Sequence, residues 1–259
     1  MKLFYKGTEI FYQAEGNGPT VLLLHGFLED LSMWNPLVDS LLPNYQVLRV
    51  DLLGHGKTGH LGYIHSMKDM AEAVEAVLEH LQIETYFVIG HSMGGYVALE
   101  LSRINTKELK GLCLMNSTYK PDSKERKLLR KRANRMAREN YPALVRMSYA
   151  NLFSEESREQ FPQEIEKGLL VALNTSVQGY LAAQEGMIQR SNFSEEFKTM
   201  TCKKMIILGK KDGLIDHEKL VEELLETNAE IVLLSEGHMS HVENKKDFTY
   251  NIMRFIEKL

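Results

Sequence analysis

Ser92 stands at the centre of Gly90-His91-Ser92-Met93-Gly94, a G-x-S-x-G pentapeptide between an apolar run, Thr85 to Ile89, and helix-like sequence from Gly95 to Arg103. A serine hydroxyl is a poor nucleophile at its free pKa and needs a base, an oriented approach and donors for the oxyanion that develops. A sharp strand-to-helix turn supplies orientation and donors, because it projects the side chain at the end of a sheet and aims the first helix amides at the reacting oxygen. Such a turn strains the nucleophile's backbone and demands small neighbours, which Gly90, Gly94 and Gly95 provide. The chemistry implied is acyl transfer to an activated serine. Metal chemistry has no comparable signature: nine histidines are present, yet there is no H-E-x-x-H and no Cys/His pairing. Neither a metal nor a cofactor is expected.

The elements that must position this serine are short β-rich runs alternating with longer segments of helical period. Strands are predicted at Leu3 to Tyr5, Ile10 to Ala14, Thr20 to Leu24, Val47 to Asp51, Thr85 to Ile89, Gly111 to Met115, Lys204 to Leu208 and Glu230 to Leu234. The pattern predicts an α/β fold, a mostly parallel eight-stranded sheet with helices on both faces. The first two strands should form a hairpin around Lys6-Gly7. Met67, Met70, Ala71, Val74, Val77, Leu78 and Leu81 recur at helical spacing, as do Phe248, Ile252, Phe255, Ile256 and Leu259, and these stripes read as core. After Ser117 the alternation stops until about Lys203. The intervening segment reads as helices, Asp122 to Asn140, Pro142 to Leu152, Pro162 to Leu173 and Val177 to Arg190.

The composition excludes several classes. A net charge of -4 in 259 residues argues against a general nucleic-acid binder. No apolar run is long enough to span a bilayer and the N-terminus lacks a signal-peptide core, so a soluble cytoplasmic protein without a membrane partner is expected. Cys113 and Cys202 form no C-x-x-C pair and lie in apolar segments, which suits free thiols in a reducing compartment.

Taken together, these residues resemble the α/β-hydrolase family over nearly the whole chain. Leu24-His25-Gly26-Phe27 is similar to the family's oxyanion loop, and Asp51-Leu52-Leu53-Gly54-His55-Gly56-Lys57-Thr58 to its D-x-x-G-x-G-x-S segment, with Thr58 in place of the usual serine. The resemblance implies an oxyanion hole formed by the amides of Phe27 and Met93. It also implies a core of residues 1–117 and 201–259, with residues 118–200 as a helical cap between strands 6 and 7. In the family's order of Ser, acid, His, the acid after the seventh strand is Asp212. Asp216 is its rival, although it precedes a helical run and has an ordinary N-capping role available. Glu236-Gly237-His238-Met239-Ser240-His241-Val242-Glu243 resembles the family's G-H-x-x-x-x-E segment and makes His238 the base, with His241 as the alternative. His25 and His55 are expected to hold backbone, His91 to point away from the nucleophile, and Trp34 to be buried under the oxyanion loop. A serine nucleophile argues against the dehalogenase and epoxide-hydrolase branches.

The functional expectation is a serine hydrolase acting on a small or medium carboxylic ester or thioester through an acyl-enzyme. Lactone opening, C–C bond hydrolysis and perhydrolysis remain open on the same triad. A small-molecule receptor with slow or single turnover is the alternative from another class. Between Lys120 and Asn140, nine basic residues face three acidic ones, a local balance of +6 in a chain of net -4. A solvated helix face, partly neutralised by the acidic stretch Glu155 to Glu166, accounts for this run. Docking of an acyl-carrier protein on a basic cap is the functional alternative.

Overall fold

The computed structural model describes residues 1–104 and 109–257; Leu259, expected in the last apolar stripe, lies outside them. Eight strands, β1 (Lys2–Tyr5), β2 (Thr8–Glu15), β3 (Thr20–Leu24), β4 (Gln46–Val50), β5 (Tyr86–His91), β6 (Leu109–Met115), β7 (Lys203–Gly209) and β8 (Glu230–Leu234), form one sheet in the order β1-β2-β4-β3-β5-β6-β7-β8. Pairing is antiparallel from β1 to β2 and from β2 to β4, and parallel from β4 through to β8. Half of the strand ends extend the predicted runs by one or two residues, while β4 stops one residue earlier, at Val50, and β5 starts one later, at Tyr86. The β1–β2 hairpin turns at Lys6 and Gly7, both at positive φ, 44° and 88°, as a two-residue turn matched to strand twist requires.

The central strands are apolar throughout because both faces are covered. Helices α1 (Asn35–Leu41), α2 (Met67–His80), α3 (Met93–Ile104), α4 (Lys124–Ala150), α5 (Glu155–Gln160), α6 (Pro162–Asn174), α7 (Val177–Ile188), α8 (Ser194–Thr199), α9 (His217–Leu224), α10 (Ser240–Glu243) and α11 (Lys245–Glu257) complete the chain. Leu22, Leu24, Val88 and Leu114 pack on one face against α2, α3 and α9, while Val21, Leu23, Ile89 and Ile207 pack on the other against α1 and α11. Trp34 is fully buried on the second face against Phe248, in a 3-10 turn that begins at Leu31. Ser66 starts α2 with a reciprocal capping box to Asp69, which satisfies two orphan amide donors.

Helices α4 to α8 fill the gap between β6 and β7 as a cap. The predicted break at Asn140 is present. There α4 kinks, at φ -149° and ψ 80°, because Pro142 cannot continue the ladder and Asn140 Oδ1 instead accepts from the Ala143 amide at 3.3 Å. Two short helices, α5 and α8, were not legible, since six residues carry less than two full turns of apolar pattern. The cap has its own apolar cluster, built on Leu144, Val145, Tyr149 and Tyr180, which reaches the core through Leu28 and Met239. This packing ties the helices between β6 and β7 to the loop after β3 and to the loop after β8. Gly179 and Gly186 on α7 permit a close approach to the loops after β4, as a Cβ at either would run into the carbonyl of Gly54 or His65.

Candidate active site

Ser92 adopts φ +47°, a left-handed conformation that costs a non-glycine residue of order 1 kcal/mol or more and is kept only where surroundings over-determine it. Its amide donates to Met115 O at 2.9 Å, and its carbonyl accepts from Ser117 Oγ at 2.7 Å and from the Gly95 amide at 3.0 Å. A side chain at Gly90 would meet the Gly94 backbone, and one at Gly94 would meet the Leu24 carbonyl. The glycines therefore let α3 start directly against the ends of β5 and β3, with Ser92 at the apex.

Asp212 and His238, on the loops after β7 and β8, come together as a buried pair. His238 Nδ1 donates to Asp212 Oδ2 at 2.8 Å. The other Asp212 oxygen accepts from the amides of Leu214 at 2.8 Å and Ile215 at 3.3 Å. Burial works to raise the Asp212 pKa, but the His238 ring and these donors override it and hold the carboxyl below its usual range. With Nδ1 committed, His238 Nε2 makes no hydrogen bond to the described residues. Ser92 and His238 both line a cavity of about 640 Å³, and no hydrogen bond joins them directly.

Asn116 is a site residue that the sequence reading missed. Its Nδ2 donates to Asp212 Oδ2 and to Gly237 O, both at 3.1 Å, and its Oδ1 accepts from Ser240 Oγ at 2.7 Å. One side chain thereby ties the acid loop to the histidine loop. The available signal was a polar Asn ending an apolar strand, and its positive φ of 45° accords with Asn's tolerance of that region.

The loop after β3 is held by a second buried carboxylate, Glu29, also missed. Its Oε2 accepts from the Gly26 amide at 2.7 Å and from His91 Nδ1 at 2.6 Å. His91 Nε2 in turn donates to His238 O at 3.0 Å. A neutral imidazole can donate to only one of these two oxygens, so the arrangement favours the charged form of His91. Burial opposes that charge, yet Glu29 raises the His91 pKa; Glu29 itself, although buried, is lowered to about 2 by His91. Both His91 ring nitrogens are directed to Glu29 and the His238 carbonyl, none to Ser92 among the described residues, and the ring thereby clamps the loops after β3 and β8 together. His241 lies beside this pair, its ring 5.5 Å from that of His91, and burial lowers its pKa to about 4. Donor atoms of Glu29, His91 and His241 fall within 4.8 Å of one another, a metal-compatible cluster in which both His91 nitrogens are already bonded to protein.

Among the described residues, the amides of Phe27 and Met93 donate to no protein acceptor, and β3 and β5 pair with Leu24 opposite Gly90, which brings both segments to one sheet edge. His25 Nε2 accepts from the Leu52 amide at 2.9 Å and His55 approaches Leu53 O, so both hold backbone. Asp216 caps α9 by accepting from the Lys219 amide at 3.2 Å and, among the described residues, makes no hydrogen bond to His238. On the basic helix, Lys120 pairs with Glu223 and Arg130 with Asp122. Among the described residues, Lys124, Lys131, Arg132, Arg135 and Arg138 are exposed without an ion pair, and the acidic stretch from Glu155 sends only Glu156 to a lysine, Lys211.

Comparison with known proteins places this geometry in a family. The chain is 21% identical to a pimeloyl-[acyl-carrier protein] methyl ester esterase of Vibrio vulnificus, over 97% of this chain and 99% of the relative. It is 22% identical to 3-oxoadipate enol-lactonase 1 of Acinetobacter baylyi, over 98% and 95%. A thermophilic esterase from Thermogutta terrifontis, solved with malate bound, superposes with a TM-score of 0.92 at 27% identity, covering 99% of this chain and 96% of that one. The model of the alpha/beta hydrolase fold matches residues 19–245, and with that match over most of its length the chain belongs to the α/β-hydrolase fold family.

Proposed function

We propose that this hydrolase is a serine esterase in which Ser92 attacks an acyl carbon, His238 Nε2 takes the Ser92 proton, and Asp212 orients and stabilises the resulting imidazolium. The amides of Phe27 and Met93 receive the oxyanion. Collapse expels the alcohol, protonated by His238, and leaves an acyl-enzyme; water deprotonated by the same histidine then releases the acid. The observation that carries this reading is the buried His238–Asp212 pair, whose second ring nitrogen is uncommitted, in one cavity with a serine held at positive φ. The Ser92–His238 contact closes when substrate seats, as catalytic hydrogen bonds commonly tighten in the Michaelis complex. Residues 118–200 act as the cap that roofs the acyl site, with Leu129, Ala133, Tyr180 and Met187 giving it an apolar ceiling suited to a small or medium acyl chain.

The test is hydrolysis of p-nitrophenyl esters from acetate to dodecanoate by the wild type and Ser92→Ala side by side. Turnover lost in the variant supports the esterase, and the optimum chain length sizes the cavity. A folded protein with no turnover on any ester moves the function to ligand reception on the same fold.

The unpaired cations on α4 favour one partner, an acyl-carrier protein. Their outward, uncompensated charge is what an acidic carrier would meet. Binding of an acyl-carrier protein that weakens between low and high salt supports this docking; no binding at low salt leaves only a solvated face.

A further inference from the structure

The cavity wall carries a second polar group besides Ser92 and His238. Tyr96 lies four residues after Ser92 on α3, about one turn or ~6 Å along the helix axis. The Arg190 guanidinium sits over the Tyr96 ring at 4.1 Å from its centre. Arg190 and Arg130 both bind Asp122, with Nη1 to Oδ1 at 2.7 Å and Nε to Oδ2 at 2.6 Å, so each carboxylate oxygen is engaged by its own guanidinium. Arg130 Nη1 also donates to Gln184 at 2.8 Å, and Arg190 Nε to the Lys120 carbonyl at 3.0 Å.

Arg126, one turn before Arg130 on α4, lines the same cavity and is only partly exposed. Among the described residues its side chain donates no hydrogen bond and forms no ion pair, while its amide is taken by the Ser123 cap. A guanidinium stays charged at any physiological pH. Burial and then the like charge of Arg130 oppose the Arg126 cation, and Asp122 gives it only partial relief. Two guanidiniums thus take both oxygens of one carboxylate, and the third, Arg126, is left without an ion pair among the described residues. A surface arginine in that position would turn to solvent; this one forms part of the cavity wall.

We propose that Arg126 is a specificity-determining residue that binds a carboxylate carried by the substrate several bonds from the scissile ester, so that the substrate class is an ester of a dicarboxylic acid or of a carboxylate-bearing alcohol. The proposal rests on the esterase reading of Ser92. A carboxylate matches the planar fork of the guanidinium in two parallel hydrogen bonds, supplies the missing counter-charge, and fixes the ester end over Ser92. For a half-ester, the alcohol leaves with the proton held by His238, water adds to the acyl carbon, and the product is a dicarboxylate.

The experiment compares p-nitrophenyl monoesters of the dicarboxylic acids from succinate to suberate with isosteric ω-carboxamides. A second arm carries the carboxylate on the alcohol instead. Wild type should favour the carboxylate in one arm by about tenfold to a hundredfold in kcat/KM, the range of a charge-assisted hydrogen bond. Arg126→Gln should bring that ratio close to one, and Arg126→Lys should keep part of it; because each ratio is internal to one protein, a folding defect does not mimic the result. Calorimetry on Ser92→Ala reads the same site without turnover: monomethyl adipate should bind, and adding Arg126→Gln should abolish binding. No carboxylate preference in either arm, or a preference undiminished in Arg126→Gln, overturns the proposal while leaving the esterase intact. Arg126-dependent binding without hydrolysis of any ester overturns the esterase and keeps the anion site.

Discussion

Two buried imidazole–carboxylate pairs lie side by side, His238 with Asp212 and His91 with Glu29, their rings 5.1 Å apart. By residue type they are equivalent, yet they differ at the second ring nitrogen. His91 has Nδ1 bonded to Glu29 and Nε2 to the His238 carbonyl, so neither ring nitrogen is left open as a base. His238 Nε2 is uncommitted, so its lone pair remains available as a base. A carboxylate beside a histidine therefore makes a catalytic base only when the far nitrogen is left open; when that nitrogen is also bonded, the same pair becomes a clamp.

The comparison breaks most sharply under truncation. Ser92→Ala or His238→Ala should lower kcat by three to four powers of ten with an unchanged circular dichroism spectrum. Asp212→Asn should fall in the same range, whereas Asp216→Asn should cost about 1 kcal/mol of stability or less and leave turnover near wild type. If Asp216→Asn proves the more damaging of the two, the acid is the other aspartate of the β7–α9 loop.

The clamp should respond in the opposite currency. Glu29→Gln leaves a buried imidazolium without its counter-charge, and chemical denaturation should show a loss of about 3–5 kcal/mol. A Glu29→Gln protein of undiminished stability would remove the clamp. The pH dependence of stability sharpens the same point. Glu29 titrates near 2 in the folded protein against an ordinary 4.5. The unfolded chain therefore binds the extra proton between these values, and stability falls by about 3 kcal/mol as pH drops through that window. His91 is raised above its ordinary 6.5, so its contribution is fully present below that pH and is lost as pH rises through the folded value. Denaturation midpoints in Glu29→Gln should lose the acid-side slope that the wild type shows.

A smaller effect is expected at Asn116. Removing its amide in Asn116→Ala leaves Asp212 Oδ2 and Gly237 O each one donor short, which should cost about 1–3 kcal/mol and lower kcat more than it raises KM. A change in KM alone would mean that Asn116 shapes the cavity rather than the acid.

The elbow was readable because its constraints are local. Gly90, Gly94 and Gly95 bracket Ser92 within six residues, and strand and helix signals flank them. The central strands were readable because a buried parallel strand has little choice but to be apolar, and β1 and β2 because Lys6-Gly7 marks the turn between them. Asn116, Glu29 and the role of His91 were not readable, since each acts by bonding to groups tens of residues away: Asn116 to Gly237, Glu29 to His91, and His91 to the His238 carbonyl 147 positions on. The unpaired state of Arg126 was hidden for the same reason, as it stands among nine basic residues of one run and only Arg130 and Arg190 take Asp122.

By itself, the sequence determined the alternation that folds the sheet, the small residues that let a serine occupy a strained apex, and the chain order in which a carboxylate and a histidine follow. Those are properties of short segments, set by backbone sterics and hydrophobic period. Tertiary structure decided which histidine keeps a free nitrogen, which carboxylate is a partner and which a cap, and which arginine faces the cavity without a counter-charge. A hydrogen bond is settled at a distance of about 3 Å between groups that loops bring together, and the spacing of residues along the chain does not encode that distance.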